Sequence, residues 1–329
     1  MNKIEPGTSK ESEAADRATN LLPPPPTGTS SEAAHPRPSQ PSTFYRAEFW
    51  GLGLWAARIL PENVSSALTR FLTLIYRATN RARVEVVVQN LLPVVNGDRM
   101  AAEKLTRELF QNFARKLVDL WRYESGESID HLFREWSGLE HLDAALAQKR
   151  GVLILTPHLG NWEFGAPLLA KRGIKMLVIT LAEPHGRFTE LRQRSRARWG
   201  IETFVVGQDP FAFVEIIRRL ERGEVVALLV DRPHPSSAAP VELFGRKFLV
   251  SMAPAELARA SGCALLPVYL PRAAHGYAAH VQPPVEYERA ELRSREARQE
   301  LAGRIMNVFA PAIRQNLNQW YHFVPIWPT

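Results

Sequence analysis

"GVLILTPHLGNWEFG" (residues 151–165) joins a short apolar run to a histidine, a glycine and an acid. The apolar residues after Gly151 are typical of a buried strand. Gly160 and Asn161 follow, and we predict that a helix begins there. A strand that leads through a histidine into a helix places that side chain at the edge of a sheet, where open α/β folds bind their ligands.

Similar apolar runs recur along the rest of the chain. They lie at residues 175–180, 202–206, 224–230 and 264–270, and segments with helical character separate them. Upstream, residues 62–80 and 98–122 have the apolar spacing of helices. Strands that alternate with helices predict an α/β fold with a mostly parallel central sheet flanked by helices, here behind a helical N-terminal section. A C-terminal amphipathic helix should be interrupted or kinked at Pro311.

The first 43 residues differ in composition from the remainder. They are rich in proline, serine and threonine and lack an apolar periodicity that could offset the entropy of ordering. We predict a disordered tail over 1–43 and one domain over 44–329, with a helical membrane-proximal section at 44–148 and an α/β section at 149–329. Acidic residues near the N-terminus stand where a secretory signal would have basic ones, and the sequence has a single cysteine, Cys263. Both features favour a location in the cytoplasm.

The net charge of +7 indicates an anionic partner, which could be nucleic acid, an acidic membrane leaflet or a phosphate-bearing substrate. Residues 44–60, "FYRAEFWGLGLWAARIL", are too few and too charged for a bilayer-spanning helix, which needs about 20 apolar residues. Tryptophans beside arginines favour a helix in the membrane interface. A core helix is the alternative.

His158 and Glu163 have the spacing of a base and its orienting acid. The spacing alone is weak evidence, because His185 and Glu190 repeat it. His158 follows a buried strand, whereas His185 sits between Pro184 and Gly186 in a polar, basic loop. We therefore expect Glu163 to hold the His158 imidazole by a hydrogen bond while the second ring nitrogen accepts a proton. Gly160 would let the backbone approach a ligand, and free amides at the helix start could face an oxyanion. A structural histidine at the sheet edge is the alternative.

Two groups of charged residues accompany this pair. On a helix, Arg192 and Arg196 would share one face while Arg194 and Arg198 share the opposite one. One face could bind phosphate, although a solvated basic surface is the simpler interpretation. Asp231 and Arg232 end another strand, where a salt bridge that anchors a loop is the alternative to a site.

Four motifs follow one another along the chain: "HLGNWE", Arg196 followed by Gly200, "LERGEVVALLVDR" with Asp231, and "LFG" followed by "APAELARASGCALLPV". In this order they resemble the bacterial lipid A late acyltransferases, or lauroyl/myristoyl acyltransferases, and the related phosphatidylinositol mannoside acyltransferases of the lysophospholipid acyltransferase-like superfamily. The resemblance runs from about Arg46 to the C-terminus and implies a glycerolipid acyltransferase-like fold. The loop "DRPHPSSAAP" departs from the lipid A enzymes, where a polar residue should follow the aspartate.

The resemblance implies transfer of a fatty acyl chain from an acyl carrier protein or coenzyme A thioester to a hydroxyl of a membrane lipid, such as a lipid A precursor. His158 would be the general base with Glu163 as its partner. It also implies no metal and no cofactor besides the donor. Family members often begin with a membrane-anchoring apolar helix, whereas this chain has a proline-rich tail and a shorter, interrupted apolar stretch, so we expect peripheral attachment at the cytoplasmic face of the bacterial inner membrane. No nucleic acid is expected, because the arginines lie among apolar helices and the sequence has no recognisable nucleic-acid recognition motif. The substrate-binding residues would be Gly160, Asn161, Arg194, Arg196, Asp231 and Arg232.

Two alternatives stay open. The chain could transfer acyl groups to another acceptor, a glycolipid or an aminolipid. It could also be a non-catalytic lipid-binding protein, which would keep an apolar groove without needing His158. A serine hydrolase is disfavoured because the sequence has no Gly-x-Ser-x-Gly stretch.

Overall fold

A computed structural model describes residues 47–181, 186–206 and 212–328. The predicted tail over 1–43, Arg46 and His185 lie outside the described residues.

Four helices open the described chain, and two of them confirm the predictions for 62–80 and 98–122. They are α1 (Ala47–Ile59), α2 (Glu62–Thr79), α3 (Arg81–Leu91) and α4 (Arg99–Glu124). The Asp98 carboxylate accepts a hydrogen bond from the Ala101 amide and caps the start of α4. The other three helices contact α4. At Gly53 of α1 a Cβ would lie 2.4 Å from the Trp121 ring, so only glycine permits this approach to α4.

The central sheet is mostly parallel, as the sequence predicts. Its strands are β1 (Phe133–Ser137), β2 (Val152–Thr156), β3 (Met176–Leu181), β4 (Glu202–Val206), β5 (Val225–Leu229), β8 (Ala264–Tyr269), β9 (Arg272–Ala273) and β10 (Gly276–Val281). The order across the sheet is β1-β10-β8-β2-β5-β3-β4, with β9 paired to β10. Strand β10 runs antiparallel to β8 and β9, whereas the other pairs are parallel.

Helices cover the sheet, and a separate hairpin precedes β8. The helices are α5 (Leu139–Ala147), α6 (Gly165–Lys171), α7 (Gly186–Ala197), α8 (Ala212–Glu221), α9 (Ala253–Ser261) and α10 (Arg295–Gln315). The hairpin pairs β6 (Ala238–Leu243) with β7 (Arg246–Ser251) and turns through Phe244 and Gly245, both at positive φ. The sequence predicted an interruption or a kink of the C-terminal helix at Pro311. Helix α10 continues through Pro311, so the predicted interruption is wrong.

The register between β2 and β5 brings two distant parts of the chain together. Thr156, the last residue of β2, pairs with Leu229, the last residue of β5. His158 and Asp231 each follow two residues beyond these strand ends, so the two side chains meet at one edge of the sheet. The segment after α10 crosses the same edge, where Trp320 forms a bridge with Leu159.

Candidate active site

The imidazole of His158 is held by Asp231. The His158 Nδ1 atom lies 2.6 Å from Asp231 Oδ1. The ring is buried, and burial, together with the nearby Arg232 guanidinium, lowers the pKa of His158 to about 3. The imidazole is therefore neutral near pH 7, with its Nδ1–H donated to Asp231 and its Nε2 lone pair available to accept a proton.

Asp231 accepts four hydrogen bonds and is completely buried. Besides His158 Nδ1, its donors are the His158 amide at 2.9 Å, Trp320 Nε1 at 3.0 Å and His322 Nε2 at 3.0 Å. Burial alone would raise the pKa of this carboxyl, but the two histidines outweigh burial and hold its pKa well below the usual range. Asp231 is therefore a fixed anion that orients His158.

Glu163 binds arginines rather than His158. Its carboxylate accepts hydrogen bonds from Arg192 at 2.8 Å and from Arg196 at 3.1 and 3.2 Å. Burial would raise the pKa of Glu163, but Arg196, Arg192 and Lys116 lower it below its ordinary value. This geometry corrects the expectation that Glu163 orients the imidazole: Asp231 already binds Nδ1, and the arginines of α7 draw the Glu163 carboxylate to themselves.

The arginines connect this site with α1. Arg192 also pairs with Glu124 at the end of α4, and the same carboxylate accepts a 2.7 Å hydrogen bond from Trp50 Nε1. The Arg192 guanidinium lies 4.6 Å from the Trp50 ring centre. Glu163 thus belongs to a buried network of two carboxylates and two arginines that fixes α7 against α1 and α4.

We expect Glu163→Gln to destabilise the fold, because the variant leaves two buried arginines with one carboxylate. Breaking a buried ion pair by removing one partner costs about 3–5 kcal/mol of unfolding free energy. Thermal or urea unfolding measures this loss. The matched control is Glu190→Gln, which breaks the exposed pair with Arg194 and should cost less than about 1 kcal/mol. Equal stability losses in the two variants would contradict the structural role of Glu163.

The amides predicted to face an oxyanion are already in use. The Gly160 amide donates to the Gln319 carbonyl at 3.0 Å, and the Asn161 amide donates to the Leu270 carbonyl at 2.8 Å. Gly160 has φ of 62°, and a Cβ there would lie 1.9 Å from the Leu270 oxygen. Glycine is therefore required for contact with the end of β8 rather than for approach to a ligand. This corrects the predicted oxyanion-binding role of both residues.

The predicted arginines divide as their helical spacing indicates. Arg196 faces Glu163 and a cavity, whereas Arg194 is exposed and pairs with Glu190 on the opposite side of α7. Arg194 therefore lies away from the cavity, and its predicted place among the substrate-binding residues is wrong. Arg232 lines the cavity and donates from Nη2 to the Tyr321 carbonyl, so it ties the C-terminal segment to the site.

His158 lines a mainly apolar cavity of about 480 Å³. Its size falls within the usual range for small-molecule sites. In the part of the chain that the structure describes, no residue forms a hydrogen bond with His158 Nε2, so this nitrogen is available to a molecule in the cavity. Apolar walls include Leu142, Ile154, Ala166, Met176, Ala227 and Val268. The cavity can hold a hydrocarbon chain beside one base.

Sequence reasoning missed four residues of the site. Trp162 contacts the His158 ring edge to face, with centroids 5.0 Å apart, and Lys116 lines the cavity. Trp320 and His322 reach Asp231 from a segment about ninety residues away in the chain. A lysine at an apolar position of α4 is the one local signal that could have identified Lys116.

The chain is similar in sequence to several known proteins. The sequence profile of the family described as "Bacterial lipid A biosynthesis acyltransferase" matches residues 38–329. The chain is 28% identical over 209 residues to the phosphatidylinositol mannoside acyltransferase of Mycobacterium tuberculosis strain H37Rv, and the alignment spans 60% of each protein. The corresponding protein of Mycolicibacterium smegmatis is 28% identical over 236 residues, which are 68% of this chain and 73% of that relative. The lipid A biosynthesis palmitoleoyltransferase of Escherichia coli K12 is 26% identical over 270 residues, 78% of this chain and 82% of that relative.

Proposed function

The chain belongs to the bacterial lipid A biosynthesis acyltransferase family, and on that premise we propose that it is an O-acyltransferase. It transfers a fatty acyl chain from an acyl carrier protein or coenzyme A thioester to a hydroxyl of a membrane glycolipid. The names of its relatives supply the two acceptor classes, a lipid A precursor and a phosphatidylinositol mannoside.

The neutral base in the wall of the apolar cavity supports this reaction best. As the acceptor oxygen attacks the thioester carbonyl carbon, His158 Nε2 takes the hydroxyl proton. The new C–O bond forms, the C–S bond breaks, and the proton passes from His158 to the departing thiolate. Asp231 holds the ring in the required tautomer and stabilises the imidazolium that forms between these steps. A lipid-binding protein without catalysis would need the cavity but not this oriented base.

The direct test incubates the purified full chain with a lauroyl or palmitoyl thioester and detergent-solubilised acceptor. Both acyl carrier protein and coenzyme A donors are compared, and the acceptors are a lipid A precursor and a phosphatidylinositol mannoside. We expect one thiol to be released for each ester formed. A thiol reagent measures the released thiol, and mass spectrometry of the lipid measures the ester. Lipid binding without thiol release for every donor and acceptor pair would favour the non-catalytic alternative.

We further propose peripheral attachment through α1 and α2 to the cytoplasmic face of the inner membrane. Among the described residues, no helix is both long and apolar enough to cross a bilayer. On α1, the buried face contains Trp50 and Ala57, whereas large apolar side chains on the other face are exposed. The exposed apolar residues of the two helices are Leu52, Trp55, Ile59, Val64, Leu68, Phe71, Leu72, Leu74 and Ile75. Such faces, with exposed arginines such as Arg58 beside them, suit an anionic membrane surface.

Trp55→Ser combined with Phe71→Ser should weaken binding to anionic phospholipid vesicles by at least about tenfold. Burial of one large apolar side chain contributes about 1.5–3 kcal/mol, and about 1.4 kcal/mol corresponds to a factor of ten. Vesicle co-sedimentation measures the change. The control Met100→Ser removes a side chain that is 83% exposed at the start of α4. Unchanged binding of the double variant would contradict attachment through these helices.

A further inference from the structure

Lys116 lines the same cavity as His158. It is only 3% exposed and occupies the inward face of α4, one turn from Phe113 on one side and from Leu120 on the other. Lysine is rarely buried unless it is paired, because removing an ammonium group from water is costly. A position suited to an apolar side chain therefore carries an amine at the candidate active site.

Its amine contacts aromatic rings instead of an acid. Lys116 Nζ lies 2.9 Å from the centre of a Trp162 ring and 5.8 Å from the ring centres of Phe113 and Tyr321. Over residues 47–181, 186–206 and 212–328, no carboxylate forms an ion pair with it. The nearby acid is Glu163, and its carboxylate is already bound by Arg192 and Arg196.

The electrostatic surroundings leave this amine poorly stabilised as a cation. Burial is the main cause that lowers the pKa of Lys116 well below its usual value, and Arg192, Arg232 and Arg196 lower it further. Glu163 acts in the opposite direction without outweighing them. The cation–π contact with Trp162 offsets only part of this cost. A negative charge in the cavity would find an unused donor at Nζ.

The proposed reaction generates such a charge. When the acceptor oxygen attacks the thioester, the carbonyl oxygen becomes an oxyanion, and the Gly160 and Asn161 amides are engaged elsewhere. The Trp162 indole contacts both the His158 ring and Lys116 Nζ, and all three residues line the same cavity.

We propose that Lys116 is a catalytic residue that donates a hydrogen bond from Nζ to the thioester carbonyl oxygen as that oxygen becomes negative. This role rests on the proposed acyl transfer. His158 accepts and returns the hydroxyl proton, the C–O bond forms and the C–S bond breaks, while Lys116 neither gains nor loses a proton over the cycle. The interaction is stronger in the transition state than in the ground state, which is the condition for raising kcat.

An amine kept for catalysis differs from a structural lysine in what its replacement does to stability. A buried amine without an acid partner costs folding free energy, so its apolar replacement should stabilise the protein while it slows the reaction. Lys116→Met retains the length and much of the volume of the side chain. We expect it to lower kcat by about 100-fold or more, the effect of losing one oxyanion donor, with little change in KM for the thioester. Its Tm should exceed that of the wild type.

The matched control is Lys104→Met, which makes the same substitution at an exposed position of α4 and should leave both kcat and Tm near wild type. Wild-type kcat in Lys116→Met overturns the proposal. So does a raised KM with unchanged kcat, which would mean ground-state binding, or a lowered Tm, which would mean a structural role.

The experiment also separates this role from the proposed function itself. A wild-type protein that transfers no acyl group refutes acyl transfer and the role of Lys116 with it. An active wild type, an inactive His158→Ala variant and a fully active Lys116→Met variant refute the role of Lys116 alone.

Discussion

His158→Ala is expected to lower the turnover of acyl transfer by a factor of about 100 or more, the scale of a lost general base. The variant removes the nitrogen that takes the acceptor proton, but it leaves the cavity walls and the arginines in place. Donor binding should therefore change less than kcat. Steady-state rates of thiol release, with mass spectrometry of the acylated lipid, measure both quantities.

His185→Ala provides the matched control for this substitution. His185 has the same sequence spacing to an acid as His158, but the sequence places it between Pro184 and Gly186 in a polar, basic stretch, and its replacement should change the rate little. A second measurement uses pH. Because the pKa of His158 is about 3, the rate should not fall near pH 6.5 as it would with an unperturbed histidine base. Full activity in His158→Ala would refute the assignment of the base.

The sequence predicted the central strands because each is a short apolar run that is buried on both faces. β2, β5 and β8 are of this kind, and they form the middle of the sheet. The edge strand β1 was missed because "FREWS" alternates large apolar with charged residues over only five positions. This strand is stabilised by its pairing with β10, more than 130 residues away, and a contact of that range leaves no pattern in the local sequence.

The sequence located His158 and Asp231 but did not pair them. Each follows a strand directly, which is a local pattern, whereas their contact depends on β2 and β5 being neighbours in register. Chain order places β3 and β4 between those strands. The choice of Glu163 followed from its nearness in sequence, and the arginines of α7 that bind it could be recognised as its partners only after helix packing was known.

Asp231→Asn is expected to reduce turnover by about 10⁴-fold, the scale seen when the orienting carboxylate of a Ser-His-Asp triad is made an amide. The carboxylate offers two acceptor atoms to four donors, whereas an asparagine offers one acceptor and one donor. Whichever way the amide turns, its NH₂ group must face either Nδ1 of His158 or the three donors grouped at the other oxygen.

If the amide donates to Nδ1, the imidazole carries its proton on Nε2. That nitrogen then cannot take the proton of the lipid hydroxyl. If it faces the other side, it opposes the His158 amide, Trp320 and His322, and buried donors that lose their partner cost about 1–3 kcal/mol each. The variant should therefore lose kcat, stability or both. The control Asp143→Asn breaks an exposed pair with Arg172 and should change neither. Nitrogen NMR of the His158 ring distinguishes the two orientations, and wild-type kcat with an unchanged Nδ1–H tautomer would contradict the assignment of Asp231 as the residue that orients the base.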